Sequence, residues 1–124
     1  MRISREEFEQ AVERALQMIP EVFRARLDNM TIAVEDRPSR ELLREMEVPP
    51  GEMLFGVFTG VPLPERSVTE PPLYPDVILI FREPLMDACR TVEELEEEIA
   101  VTVVHEVAHF MGLSEDDLED LGYA

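Results

Sequence analysis

At 124 residues the chain has room for one hydrophobic core and not for two lobes, so it reads as a single domain over residues 1–124. Its 28 acidic and 11 basic residues give a net charge of −17. That charge repels phosphate backbones and anionic lipid, excluding nucleic acid and membrane surfaces as partners, whereas a cation or a basic peptide is electrostatically welcome.

The chain opens on Met1-Arg2-Ile3-Ser4-Arg5-Glu6-Glu7, which lacks the apolar core of a secretory signal and argues for a cytoplasmic protein. Ser4 and Glu7 have the spacing of a capping box, and Phe8, Ala11, Val12, Ala15, Leu16 and Ile19 recur at helical period, predicting a first amphipathic helix that Pro20 ends or restarts. Glu21 to Leu27 adds a turn or two. After the turn at Asp28-Asn29, Met30, Ile32 and Val34 alternate with Thr31, Ala33 and Glu35, the period of a strand over 30–35. Ser39 can cap a short helix through Met46, stopped by Val48-Pro49-Pro50-Gly51. Met53 to Gly60 predicts a second strand, with a glycine where another backbone comes close. Val61 to Pro75 holds five prolines and reads as an extended loop, long enough to wall a binding cleft.

Val77-Ile78-Leu79-Ile80-Phe81 is a wholly apolar strand, and Pro84 opens a short helix ending near Cys89-Arg90. Cys89 is the one cysteine, which rules out an internal disulfide, fits a reducing cytoplasm and reads as a structural thiol. Thr91 and Glu94 form a second capping box before a long helix that runs to Met111, with Glu93, Glu96, Glu97 and Glu98 near its positive end. No run of 18 apolar residues occurs, so no transmembrane helix is expected. All 11 basic residues are arginine which, with ten prolines, is compatible with a heat-adapted or GC-rich source.

The long helix carries the chemistry. His105-Glu106-Val107-Ala108-His109 is an H-E-x-x-H pentad containing both histidines of the chain. Residues four apart on a helix share a face, so the two imidazoles can hold one tetrahedral metal, and zinc suits nitrogen ligands. Glu106 is placed to take a proton from water held by that metal. The competing reading, two structural histidines and a surface glutamate, fits poorly with a helix so apolar around them, because an unpartnered glutamate there is costly to bury. Gly112 then stands where a helix wants a left-handed residue. In metzincin-type sites a glycine at this spacing lets a third ligand three residues later reach the metal. That slot is Glu115, with Asp116 as competitor. Equally, Ser114 can cap a last short helix whose acidic first turn is Glu115, Asp116 and Asp117. The two readings are compatible and both stand. Tyr123 or an arginine could serve an oxyanion, but a packing or surface role suits Tyr123 better.

Helix, three strands and helix around such a motif describe an α+β domain. The sequence also resembles the small bacterial zincin-like metallopeptidase family. The likeness rests on Ile19-Pro20, Asp28-Asn29, Val34-Glu35-Asp36, Gly60-Val61-Pro62-Leu63, residues 75–81, residues 102–112 and Leu121-Gly122-Tyr123. It implies a minimal zincin-like fold, a small twisted mixed sheet packed against the H-E-x-x-H helix, with Zn2+ on His105 and His109, Glu106 as base and a peptide or protein as substrate. Two departures qualify the implied activity. Only 12 residues follow Gly112, so no lower lobe closes a cleft, and no methionine follows Met111 to form a methionine turn. Many relatives carry aspartate where Glu115 stands. A zinc-dependent peptidase is therefore weighed against a non-catalytic module that keeps a metal for structure or binds peptides without cutting them. Oligomeric state is not legible.

Overall fold

The computed structural model describes residues 1–60 and 76–123. The proline-rich loop read over Val61 to Pro75 lies outside them. In order, the described elements are α1 (Arg5–Gln17), α2 (Glu21–Leu27), β1 (Thr31–Glu35), α3 (Arg40–Glu45), β2 (Gly56–Thr59), β3 (Val77–Phe81), α4 (Arg82–Ala88), α5 (Val92–Met111) and α6 (Glu115–Asp120). The fold is α+β with a small mixed sheet of order β1-β3-β2. β3 is central, parallel to β1 from Thr31↔Val77 to Glu35↔Phe81 and antiparallel to β2 from Gly56↔Ile80 to Thr59↔Val77. Its apolar run follows from that place. Ile78 and Ile80 are fully buried on the helix-packed face while Val77 and Leu79 are half-buried, which is what a strand paired on both edges and covered on one face should show.

The α1 stripe buries Phe8, Ala11, Val12 and Ala15 against α5, which contributes Leu95, Ile99, Val103, Val104 and Val107 to the same core as Ile78 and Ile80. Each of these large side chains, removed from water, stabilises the fold by about 1.5–3 kcal/mol. α1 begins on a complete capping box: Ser4 Oγ accepts from Glu7 N at 3.0 Å, and Glu7 Oε1 accepts from Ser4 N at 3.2 Å. At α5 only half of the expected box forms. Thr91 Oγ1 accepts from Glu94 N at 3.1 Å, but the Glu94 carboxylate reaches one residue further back and takes Arg90 N–H at 2.7 Å.

The largest differences from the sequence reading are at the starts of β2 and α4. β2 is shorter than 53–60 because Met53 to Phe55 leave the ladder, although Phe55 O still accepts from Phe81 N at 2.9 Å. α4 starts directly on β3, two residues before Pro84, which falls within the first turn where its missing N–H costs no bond. It ends at Ala88, leaving Cys89 buried in the core as a structural thiol; burial, then the charges of Glu98 and Glu94, holds that thiol above its ordinary pKa. Among the described residues no helix is long and apolar enough to cross a membrane.

Candidate metal centre

The C-terminal half of α5 runs alongside the edge strand β2. Thr102, Glu106 and Phe110, four residues apart, make one row on that side. At its start, a Cβ on Gly56 would lie 2.7 Å from Thr102 Cγ2 and 2.9 Å from Leu79 O, so glycine is what lets helix and strand approach. At its end the rings of Phe58 and Phe110 pack with centroids 5.4 Å apart. Between these contacts, Glu106 Oε1 accepts the Phe58 N–H at 2.8 Å. The strand register explains the donor. Phe55, Val57 and Thr59 turn their backbone groups toward β3, so the Phe58 N–H points away from β3. The carboxylate is 13% exposed and has a backbone partner, which answers the cost of burying it.

The second oxygen, Glu106 Oε2, lies 3.6 Å from His109 Nδ1, one turn along. Hydrogen bonding to Glu106 raises the His109 pKa above its ordinary value, partial burial opposes the rise, and the charges of Glu106 and Glu115 add to it. At 3.6 Å the pair is long for a hydrogen bond, so we regard the attraction as mainly that of opposite charges. The His109 side chain is 55% exposed. His105 is half-buried, and its Nε2 stands 2.6 Å from the carbonyl oxygen of Tyr123. A carbonyl only accepts, so this Nε2 carries the proton.

Beyond α5 the chain stops as a Schellman turn. Gly112 takes φ 79°, Gly112 N donates to His109 O at 3.1 Å and Leu113 N to Ala108 O at 2.9 Å. Ser114 caps α6: its Oγ accepts from Asp117 N at 3.1 Å and its N–H donates to Asp117 Oδ2 at 2.9 Å, bonds that pull the Asp117 pKa down. The capping role read for Ser114 is therefore present, and Glu115 and Asp116 are exposed in the first turn of α6. Glu115 lies near enough for His109 to feel its charge.

The donor types at His105, His109 and Glu115 suit a divalent cation, but their arrangement does not complete a site for one. Among the described residues no three His, Cys, Asp or Glu side chains gather to hold a metal. The structure brings Glu106 and His109 together, turns His105 toward Tyr123, and leaves Glu115 and Asp116 in solvent. Two participants escaped the sequence reading, the Phe58 N–H and the Tyr123 carbonyl. Both are backbone groups, present on nearly every residue, so nothing in a side-chain pattern marks them.

The pattern of a known family decides the relationship: that of the zincin-like metallopeptidases matches residues 27–123. The chain belongs to this family. The match takes in the sheet, the pentad helix and α6, leaving α1 outside. Among solved structures, this zincin-like chain is similar to a conserved hypothetical protein from T. thermophilus, at 21% identity, covering 96% of this chain and 97% of that one with a TM-score of 0.53. At that identity the likeness shows the fold alone. No curated protein matches the chain.

Proposed function

We propose that this zincin-like protein is a zinc-dependent peptidase in which Glu106 is the general base and His105 and His109 are metal ligands, with Glu115, or Asp116 in its place, as the third. The observation that carries the reading is the placement of Glu106: a carboxylate on the buried helix, beside His109, held against β2 by the Phe58 N–H. Zinc held there would supply Lewis-acid polarisation of a carbonyl and a lower pKa for water. The chain's own residues do the rest. An extended peptide lying along the β2 side of α5 would bring its carbonyl beside Glu106. Glu106 takes the proton of the attacking water and can pass it to the leaving amine. The strongly acidic chain favours basic peptides, and the buried thiol of Cys89 suits a reducing cytoplasm.

The test is a peptide library offered to zinc-loaded wild type and to Glu106→Gln, which keeps the acceptor for Phe58 N–H but not the base. Cleavage by wild type, reduced about 10²–10⁴-fold in the variant, is expected. Equal cleavage by both, or none by either, overturns the reading. The scattered donors favour a second reading, a module that binds peptides without cutting them. On that reading Glu106→Gln leaves peptide affinity intact and no cleavage product forms.

A further inference from the structure

The described sheet has a second edge, remote from β2. β1 closes the order β1-β3-β2 on the opposite side, and its backbone groups alternate between β3 and the outside. Thr31 N–H donates to Asp76 O at 3.0 Å, so Thr31, Ala33 and Glu35 turn their backbone groups to β3 while Ile32 and Val34 turn theirs outward. One outward group is taken: Val34 O accepts from Arg5 Nη2 at 2.5 Å. The Ile32 N–H and carbonyl and the Val34 N–H make no hydrogen bond to any described residue. Beside them lies a groove of about 300 Å³ between β1 and α1. Val12, Leu16, Ile32 and Val34 give it an apolar floor, and Glu9 and Glu13 stand exposed on its rim. Glu9 is shared with Arg5 at 3.3 Å, whereas Glu13 has no ion-pair partner among the described residues.

We propose that this groove docks an extended, basic segment of a partner protein, which adds to the sheet as a strand beside β1. The unpaired backbone groups call for another backbone, since an added strand supplies donors and acceptors at the same alternation. The rim selects its charge. A lysine or arginine can lay its methylene stem over Val12 and Leu16 while its head reaches Glu9 or Glu13. The spacing agrees: residues one turn apart on α1 stand about 6 Å apart along its axis, and residues two apart on an extended strand about 6.6 Å. The partner motif is therefore two basic residues at alternate positions. Arg5 sets the end of the groove, because its guanidinium already holds Val34 O and the added strand must stop there. A second copy of this chain is the poorer occupant, since it would bring its own Glu9 and Glu13, and a net charge of −17, against the same rim. Docking at β1 needs neither a metal nor peptide cleavage, so it stands independently of the role proposed for Glu106.

The probes are two fluorescein-labelled peptides, one of alternating lysine and valine, the other of alternating glutamate and valine. By fluorescence anisotropy the lysine peptide should bind the full chain and the glutamate peptide should not. Glu9→Gln combined with Glu13→Gln should weaken that binding about two- to tenfold, the size of two exposed ion pairs. Glu41→Gln combined with Glu45→Gln, an equal change of charge on exposed residues of α3, should leave it within about twofold of wild type. Equal losses in the two double variants mean general attraction to an acidic chain and overturn the proposal. No binding of the lysine peptide, or equal binding of both peptides, overturns it too. A second measurement uses the wild-type chain alone. Saturating lysine peptide should slow hydrogen exchange of the Ile32 and Val34 amides about tenfold, the protection one hydrogen bond gives. Unchanged exchange at those two amides with peptide bound overturns strand addition. If the same amides are protected without peptide in a dimer detected by sedimentation, the edge belongs to a second copy, and the proposal again fails.

Discussion

The two halves of α5 belong to one helix and do different work. The first half, from Val92, is set by local chemistry: Thr91 caps it, acidic residues favour its positive end, and Leu95 and Ile99 bury themselves against α1 and the sheet. The second half continues the buried stripe through Val103, Val104, Val107 and Ala108, and carries His105, Glu106 and His109 on the remaining surface. Two of the polar groups there meet something remote in sequence, Phe58 for Glu106 and Tyr123 for His105. One half supplies rigidity, the other uses it to hold polar groups at set positions. If this division is correct, changes in the two halves should separate stability from chemistry.

Glu106→Gln tests the chemical half and carries the largest effect, a loss of cleavage of about 10²–10⁴-fold, with a thermal midpoint close to wild type because the Phe58 N–H keeps an acceptor. Next comes Ile99→Ala in the structural half. Ile99 is fully buried, so the substitution should cost about 2–5 kcal/mol in chemical denaturation and leave the chemistry of the remaining folded fraction unchanged. A smaller loss would mean that the core closes around the gap. Gly56→Ala strikes the junction between the halves. Its new methyl would meet Leu79 backbone as well as Thr102, so a cost of about 1–3 kcal/mol is expected, together with a shift of the Phe58 amide resonance as β2 is pushed off Glu106.

The smallest effect is the pH dependence of the metal-free protein. The folded-state pKa of His109 lies above its ordinary value, so its attraction to Glu106 contributes fully below the unfolded pKa and is lost as pH rises through the folded one. Thermal melts of metal-free wild type and His109→Gln should therefore differ most on the acid side of neutrality and converge as pH rises through the folded value. A gap that widens with pH would contradict the ion-pair geometry.

Much of the frame was legible beforehand because its causes are local. The Ser4–Glu7 box, the Phe8-to-Ala15 stripe, the apolar β3 and the Gly112 stop each depend on residues a few positions apart, and each appears in the structure. The Thr91–Glu94 box failed in one of its two bonds for an equally local reason: the Arg90 N–H competed for the same carboxylate. The starts of β2 and α4 fell away from where residue preference put them: β2 begins at Gly56, and α4 follows β3 directly at Arg82. At the centre the pentad named the side chains but not their partners.

Taken by itself, the order of residues determined the α+β frame, the helix carrying both imidazoles, and the family to which the chain is similar, since periodicity, caps and motif spacing are written in neighbouring positions. Only the tertiary structure decided that Glu106 rests on the Phe58 N–H, that the Tyr123 carbonyl takes His105 Nε2, and that Glu115 and Asp116 stay in solvent. Those contacts join backbone groups to side chains 48 and 18 residues away, and such pairs arise only when the sheet edge and the segment after α6 are folded against α5.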